Sequence, residues 1–217
     1  MKKKPPTRVL RPAKHPIRAG KSLAGLRKIR VPATAPAIRR LQAELARARA
    51  EVAELRASAE SDFLLDIRNR RGFARELTRA VAYINRYRAT GALIVLDVDR
   101  LKPINDAFGH AAGDEVLKAV VGVLRSHVRA SDMIARLGGD EFVLLLWNLN
   151  EADARAKARQ LEAAVDALSF VFQENHVAAG ASAGVALLAP EIDGHAALDE
   201  ADRAMYVRKM ERRASRL

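Results

Sequence analysis

Two stretches of the sequence decide the fold: Ala92 to Asp97 reads ALIVLD, and Leu137 to Trp147 reads LGGDEFVLLLW. The first is short, apolar and rich in branched side chains, which is typical of a strand buried on both faces. In the second, paired glycines separate the segment that begins at Met133 from a nearly continuous apolar run, which predicts a strand, a tight turn and a second strand. Together they indicate a sheet whose strands end in acidic residues.

Amphipathic helices are predicted around these strands. Apolar residues recur at helical spacing in four segments: 73–84, 116–128, 152–168 and 197–213. A further strand is expected around Val185, and a polar stretch that contains glycine, residues 99–114, follows the first strand. The resulting order, α-β-α-β-β-α-β-α, predicts an α/β (α+β) sandwich built on one sheet.

Length and composition exclude several classes of protein. The chain has 217 residues, of which 49% are hydrophobic and 29% charged, so a globular domain with an extension is expected. The absence of cysteine excludes a disulfide scaffold, a cysteine nucleophile and a thiolate metal site. No apolar run reaches the roughly 20 residues of a membrane span, and no apolar segment follows the basic start as in a secretory signal. A soluble cytoplasmic protein is therefore expected.

The excess positive charge is confined to the N-terminus. The formal net charge is +12, yet residues 1–40 alone hold 6 Lys and 7 Arg without an acidic residue, and the other residues hold 25 basic and 26 acidic groups. Six of the eight prolines also lie in this segment. Because proline breaks helices and like charges repel, residues 1–37 are expected to form a disordered basic tail. Two interpretations stay open: a solvated arm, or an arm that makes weak contact with anionic lipid or nucleic acid.

A heptad pattern follows the tail, in residues 38–60. Its apolar positions alternate at spacings of three and four residues: Ile38, Leu41, Leu45, Ala48, Val52, Leu55 and Ala59. The other positions are good helix formers, but the alanines make the seam weak by itself. The pattern fits two arrangements, which are a single helix packed on its own domain and a parallel coiled coil that pairs two copies of the chain.

Acidic residues cluster where the predicted strands end. Asp97 and Asp99 stand at the end of the first strand, and Asp140 and Glu141 stand in the turn of the predicted hairpin. If the hairpin pairs beside the first strand, Asp97 and Asp140 come close together. Converging carboxylates suit a hard divalent ion such as Mg²⁺, which in turn suits phosphate chemistry. The adjoining glycines would let the backbone approach a phosphate closely.

Two motifs in this region resemble a known family. Leu137 to Phe142 reads LGGDEF, and Leu96 to Asp114 reads LDVDRLKPINDAFGHAAGD. Both motifs, at the spacing found here, resemble the GGDEF domains, the diguanylate cyclases, and the resemblance extends over residues 62–213. It implies a GGDEF domain at residues 61–217, with a fold similar to the palm of nucleotide cyclases and some polymerases. It also implies the condensation of two GTP molecules into cyclic di-GMP with release of two pyrophosphates.

The reaction implied by the resemblance needs two copies of the domain. Each domain holds one GTP, and the 3′-hydroxyl of each nucleotide attacks the α-phosphate of the other, so a homodimer held by the stalk is expected. Cyclic di-GMP is expected both as the product and as an inhibitor. The alternative is a catalytically silent domain that acts as a receptor for cyclic di-GMP or GTP, and a third hypothesis is a nucleic-acid or scaffold role of the tail.

By position, the resemblance also assigns the metal site and the catalytic groups. Asp97, Asp140 and the backbone carbonyl of Val98 match the ligands of Mg²⁺ or Mn²⁺. Asp140 also matches the proton acceptor for the 3′-hydroxyl, with Glu141 as the alternative. Lys102 matches a lysine that stabilises charge on the transferring phosphate.

The substrate and product sites follow from the same resemblance. Asn105 and Asp114 match the pair that recognises guanine, because an amide and a carboxylate together satisfy its acceptor and its donors. Five further residues match substrate contacts: His110, Gly138, Gly139, Lys209 and Arg213. For His110, a structural role in ordering the loop is an equal alternative. Arg129 and Asp132 match a product-inhibition site that needs a second arginine, which the sequence does not identify.

The sequence departs from the family pattern at both ends of the domain. The family opens with D-x-L-T-G-L-x-N-R, whereas residues 62–70 read DFLLDIRNR, with Leu65-Asp66 in place of Thr-Gly. The closing G-R-N is here Arg212-Arg213-Ala214. None of these changes touches the metal carboxylates, but the first lies between stalk and domain and bears on their coupling. The input signal is expected to come from a partner, from dimerisation or from the tail.

Overall fold

A computed structural model describes residues 34–215, apart from the side chains of residues 34–35 and 53–58. Most of the tail expected at residues 1–37 lies outside the described residues, and with it the expected lipid or nucleic-acid contact. The chain divides into two structural units, residues 1–46 and 47–217. Within the described range, no helix combines the length and the apolar content that crossing a membrane requires.

The stalk helix is longer than its heptad pattern predicts. Helix α1 spans Thr34–Ala59 and so includes four residues that the composition assigns to the tail. Pro36 does not prevent this, because it lies in the first turn, where a backbone N–H has no helical partner to lose. The described seam residues are exposed: Ile38 51%, Leu41 64%, Leu45 51% and Val52 44%. These four positions of the seam are therefore open to solvent in a single chain.

The described part of the chain forms a six-stranded sheet and a separate hairpin. The strands are β1 (Ser61–Asp62), β2 (Ile67–Asn69), β3 (Gly91–Val98), β4 (Met133–Gly138), β5 (Glu141–Trp147), β6 (Ser169–Phe172), β7 (Asn175–Ala178) and β8 (Ala181–Leu188). The sheet has the order β1-β2-β4-β5-β3-β8, and β6 pairs with β7. All neighbouring pairs in the sheet are antiparallel except β2 and β4, which are parallel. Strand β3 lies between two neighbours, and all its residues are buried.

Helices cover both faces of this sheet. Those that follow the stalk in the described range are α2 (Arg70–Tyr87), α3 (Leu101–Phe108), α4 (His110–Ser126), α5 (Glu151–Asp166) and α6 (Gly194–Ala214). Helices α2 and α6 pack on one face, and α3, α4 and α5 pack on the other. Strand β3 serves both layers because its side chains alternate: Leu93 and Val95 join the first, and Ile94 and Leu96 the second. The predicted α/β sandwich is confirmed.

The stretch after the first strand is more regular than its composition predicts. Residues 101–108 form α3, and α4 begins at His110 rather than near Val116. Leu101 and Ile104 bury their side chains in the core, so tertiary packing outweighs the polar composition. Four short strands, β1, β2, β6 and β7, are not predicted as strands of their own from the sequence. Strands of two to four residues are too short to show an alternation of apolar and polar side chains.

Helix α6 lies very close to β8. A Cβ atom at Gly184 would collide with the backbone of Ala201 and Met205, so the approach requires glycine. This contact sets the position of α6, whose C-terminal half carries Lys209 and Arg213.

Candidate active site

Asp97 lies at the end of β3 in contact with a lysine of α6. The residue is 5% exposed, and Lys209 Nζ donates a hydrogen bond to Asp97 Oδ1 at 2.6 Å. Burial raises the pKa of Asp97, the hydrogen bond from Lys209 opposes this rise, and the nearby charges of Asp140 and Asp99 add to it. A further cation beside Asp97 would therefore stabilise its ionised form.

The turn between β4 and β5 brings Asp140 to the end of β3. Asp97 pairs with Glu141 in the register of β3 and β5. The backbone amide of Val98 donates to the carbonyl oxygen of Asp140 at 3.0 Å. This pairing confirms the prediction that the hairpin lies beside the first strand and that its acidic turn meets the acidic end of that strand.

The backbone of this turn requires glycine. Gly138 and Gly139 have φ angles of 154° and 50°, and a Cβ atom at either residue would meet no neighbour within 4 Å. Glycine is therefore needed for the conformation and not to relieve crowding. The space next to the turn is open, so a ligand can approach the backbone there.

Two arginines that the sequence interpretation missed hold the turn in place. Arg136 donates from Nε and Nη2 to the carbonyl oxygen of Gly139 at 2.9 and 2.7 Å, and from Nη1 to Asp62 at 3.1 Å. Arg70 Nε donates to the carbonyl oxygen of Leu137 at 2.8 Å. The sequence signal for Arg136 is only its place two residues before the glycine pair. The contacts that these arginines make with the turn go to backbone oxygens, which no residue pattern reveals.

A cavity of about 500 Å³ opens beside these carboxylates. Asp140, Asp99 and Val98 line it together with four cations, Arg100, Lys102, Lys209 and Arg213. Lys102 comes from α3, and Lys209 and Arg213 come from α6, one helical turn apart. A cavity with carboxylates and several cations suits a polyphosphate that carries a divalent counter-ion.

The donor set of this cavity fits Mg²⁺ or Mn²⁺ bound together with a phosphate. Asp140 offers carboxylate oxygens and Val98 a backbone carbonyl at the cavity, and Asp97 adds a carboxylate next to it, although it is not itself a lining residue. In the part of the chain that the structure describes, no three histidine, aspartate or glutamate side chains converge as a metal-binding group. Proteins hold Mg²⁺ by one or two carboxylates, with water and substrate phosphate completing the shell. The residues therefore fit an ion that arrives with a nucleotide, and not an all-protein cage.

The residues matched to guanine recognition lie on two neighbouring helices, Asn105 on α3 and Asp114 on α4. Neither of them lines the cavity of about 500 Å³ described above, which is called the phosphate cavity from here on. A Cβ atom at Gly113 would collide with the side-chain amide of Asn105. Asn105 Oδ1 is buried and has no hydrogen-bond partner within the described residues. A buried acceptor without a partner costs free energy, so this oxygen has an unmet capacity for a hydrogen bond. Asp114 is half-buried, and His110 is exposed at the first residue of α4.

Arg129 and Asp132 line a different cavity, of about 400 Å³. Asp132 accepts hydrogen bonds from the backbone amides of Arg129 at 2.9 Å and Trp147 at 3.2 Å, so it fixes a turn that leaves Arg129 exposed. Arg68 and Arg125 line the same cavity. These two residues are candidates for the second arginine that the sequence could not identify.

Comparison with known proteins agrees with this geometry. A family model described as the diguanylate cyclase GGDEF domain matches residues 59–215. The chain belongs to the GGDEF family. Diguanylate cyclase TpbB of Pseudomonas aeruginosa is 40% identical over 178 residues, which are 81% of this chain and 41% of that protein. Probable diguanylate cyclase DgcE of Escherichia coli is 38% identical over 159 residues, 72% of this chain and 14% of that protein. The chain thus spans less than half the length of these relatives.

Solved GGDEF structures share the fold described above. The coiled coil and GGDEF domain of DgcB from Caulobacter crescentus, in complex with c-di-GMP, matches with a TM-score of 0.72 and 27% identity over 83% of this chain and 96% of that one. The diguanylate cyclase SiaD of Pseudomonas aeruginosa, in complex with its activator SiaC, matches with a TM-score of 0.68 and 27% identity over 81% of this chain and 68% of that one.

We expect replacement of Asp97 by asparagine to change the pH dependence of the stability of the GGDEF domain when nucleotide and metal are absent. Because the pKa of Asp97 is raised, the folded chain binds this proton more readily than the unfolded chain. Stability is therefore lost as the pH rises from the ordinary aspartate pKa through the raised one. The Asp97→Asn variant escapes this loss, so its melting temperature relative to wild type should be higher at neutral pH than in mild acid, whatever the constant cost of losing the Lys209 ion pair. A difference that does not change with pH would contradict this, and Asp199→Asn, an exposed position on α6, is the control.

Proposed function

We propose that this GGDEF domain is a diguanylate cyclase, which condenses two GTP molecules into cyclic di-GMP and releases two pyrophosphates. The observation behind the proposal is the cavity in which Asp140, in the β4–β5 turn beside the end of β3, is joined by Lys102, Lys209 and Arg213. Such a cavity supplies carboxylates for a divalent ion and a proton, and cations for a triphosphate. Relatives that are named diguanylate cyclases support the same assignment.

The cations of the cavity bind the triphosphate. Lys209 and Arg213 hold it from α6, and Lys102 stabilises the negative charge that builds on the α-phosphate during transfer. Gly138 and Gly139 leave room for the phosphates beside the turn. Lys209 is already paired with Asp97, so nucleotide binding places the lysine between that carboxylate and a phosphate oxygen.

The turn carboxylate takes the proton of the attacking hydroxyl. The 3′-oxygen of one GTP forms a bond to the α-phosphorus of the other, the bond to the bridging oxygen breaks, and pyrophosphate leaves. Asp140 accepts the hydroxyl proton, with Glu141 as the alternative acceptor. Mg²⁺ or Mn²⁺, when held by Asp97, Asp140 and the Val98 carbonyl, neutralises phosphate charge at this point.

Asn105 and Asp114 select the base. The unpartnered Oδ1 of Asn105 and the carboxylate of Asp114 accept from the N–H groups of guanine, and the Asn105 amide donates to its O6. Adenine would leave these groups unpaired in a buried site, which disfavours its binding. His110, exposed beside them, either contacts the nucleotide or orders the loop.

Two copies of the domain must face each other, because each holds one GTP. The exposed seam of Ile38, Leu41, Leu45 and Val52 offers a surface for pairing with a second stalk. The presence of a coiled coil next to the GGDEF domain in the DgcB structure supports this arrangement. We therefore favour the homodimer over a stalk that packs on its own domain.

Replacing Leu41 by glutamate is expected to weaken the dimer by about 100-fold, because it buries an unpaired carboxylate in each half of the seam. Cyclic di-GMP formation per chain should fall correspondingly at low protein concentration and recover at high concentration. Ala43→Glu adds the same charge on the opposite side of the heptad and is the control. Sedimentation and initial rates measured on one dilution series check both. An unchanged dimer in the Leu41→Glu variant would contradict the stalk model.

Product feedback is assigned to the cavity that holds Arg129 and Asp132. Arginine stacks on guanine and can bind its O6 and N7 together, so three exposed or half-buried arginines around this cavity suit a guanine dinucleotide. Arg68 or Arg125 supplies the second cation. Cyclic di-GMP bound here would restrain the enzyme.

The experiment that tests the proposed function is direct. Purified chain, freed of bound nucleotide, is mixed with GTP and Mg²⁺, and the products are separated by chromatography. Cyclic di-GMP should form and should disappear when the metal is chelated. Binding of cyclic di-GMP without any turnover would instead make the domain a receptor.

A further inference from the structure

A ladder of ion pairs joins α5 to the C-terminal half of α6. In the first rung, Arg208 Nη2 donates to Glu162 Oε2 at 2.9 Å. In the second, one turn later on both helices, Arg212 Nη2 donates to the two carboxylate oxygens of Asp166 at 2.6 and 2.8 Å. The second ion pair, unlike the first, also reaches the end of β3, because Arg212 Nε lies 3.4 Å from Asp99 Oδ2.

Asp99 connects this ladder to the candidate active site. It is 6% exposed and also accepts a hydrogen bond from the Ser182 hydroxyl of β8 at 3.1 Å. It directly follows Val98, and the next residue, Arg100, has a left-handed φ of 67°, so the chain turns sharply at this point into α3. Contacts that fix Asp99 therefore also fix this turn. The turn in its place positions Val98 and Lys102 at the phosphate cavity.

Arg212 stands among the cations of α6 but does not line the phosphate cavity. Lys209 precedes it by one turn and Arg213 follows it, and both of these residues line that cavity. The side chain of Arg212 is 13% exposed and is surrounded by the carboxylates of Asp99, Glu162 and Asp166. The same stretch of helix thus presents two cations to the cavity and anchors a third in the protein.

We propose that Arg212 is a positioning residue for nucleotide binding, which fixes Lys209 and Arg213 against the end of β3 by binding Asp166 and Asp99 at once. The inference rests on the proposed function, since it names a determinant of that same site. The family pattern has glycine where this chain has Arg212, and glycine has no side chain with which to make these contacts.

The first rung of the ladder provides a matched control. Arg208→Gln and Arg212→Gln each remove one guanidinium from the α5–α6 contact, so both are expected to lower the melting temperature. Of the two variants, Arg212→Gln is the one that also removes a contact to Asp99. We expect this variant to bind an α,β-methylene analogue of GTP, with Mg²⁺, about 10- to 100-fold more weakly, and Arg208→Gln to keep the wild-type affinity. Arg212→Lys keeps the charge without the planar fork and should lie between wild type and Arg212→Gln.

Calorimetric titration of the whole chain with this analogue measures the effect without any turnover. Equal affinity in wild type and Arg212→Gln, or an equal loss in both glutamine variants, would overturn the proposal. If Arg212→Gln does not fold, Asp166→Asn removes the partner carboxylate instead, and it must weaken binding in the same direction. A wild-type chain that binds the analogue but forms no cyclic di-GMP defeats the cyclase proposal alone. A wild-type chain that does not bind the analogue overturns both.

Discussion

Replacing Asp140 by asparagine is expected to slow cyclic di-GMP formation by about 10²- to 10⁴-fold. The amide has the size of the carboxylate, but it cannot take the proton of the 3′-hydroxyl and it offers a poorer ligand to a divalent ion. The turn should keep its place, because its backbone is held by the Val98 amide at 3.0 Å and by Arg136. Initial rates from chromatography, with the melting temperature beside them, measure the effect.

The same series separates the two candidate proton acceptors. If Asp140 takes the proton, Glu141→Gln should retain much more activity than Asp140→Asn. Asp199→Asn, a change of the same kind at an exposed position on α6, should behave as wild type. Wild-type turnover in Asp140→Asn would remove Asp140 from the mechanism, and a loss confined to Glu141→Gln would transfer the role to Glu141.

Replacing Asn105 by alanine is expected to weaken GTP binding by about 10- to 100-fold, since the loss leaves guanine donors without a buried acceptor. The preference for GTP over ATP should shrink together with the affinity, because the lost contacts are those that distinguish the bases. Titration of the variant with non-cyclising GTP and ATP analogues measures both quantities. An unchanged preference would exclude Asn105 from base recognition.

Two glycines of α4 offer a second approach to the same question. A Cβ atom at Gly113 would collide with the Asn105 amide, whereas one at Gly122 would meet no neighbour within 4 Å. Gly113→Ala should therefore weaken guanine binding with Asn105 still present, and Gly122→Ala should leave it unchanged. Equal effects of the two substitutions would indicate a general response of α4.

The sequence was most informative where the chain is buried and the pattern is local. The apolar run that ends at Asp97 and the glycine pair before Asp140 predict β3 and the β4–β5 hairpin, and their pairing brings the two acids together. Helix α3 could not be predicted in this way. The buried residues of this helix are Leu101 and Ile104. Their contribution to stability depends on a core that is built from distant parts of the chain.

Contacts between distant residues are the part that no local pattern contains. In the sequence, Arg212 is noticeable only because it replaces the glycine of the family's closing motif. The residues that it binds are far away in the chain: Asp166 lies 46 residues earlier and Asp99 113 residues earlier. Arg136 likewise reads as an ordinary strand residue, although its guanidinium binds the carbonyl of Gly139. Such partners become visible only when the sheet and helices are assembled.

In the proposed function, this domain joins two GTP molecules where two copies of the chain face each other. The most direct measurement follows cyclic di-GMP and pyrophosphate together, from GTP and Mg²⁺, over a wide range of concentrations of nucleotide-free protein. We expect two pyrophosphates for each cyclic di-GMP. The rate of cyclic di-GMP formation per chain should rise with protein concentration until dimerisation is complete. Recovery of unchanged GTP at every concentration, from protein that binds the nucleotide, would contradict the proposed function.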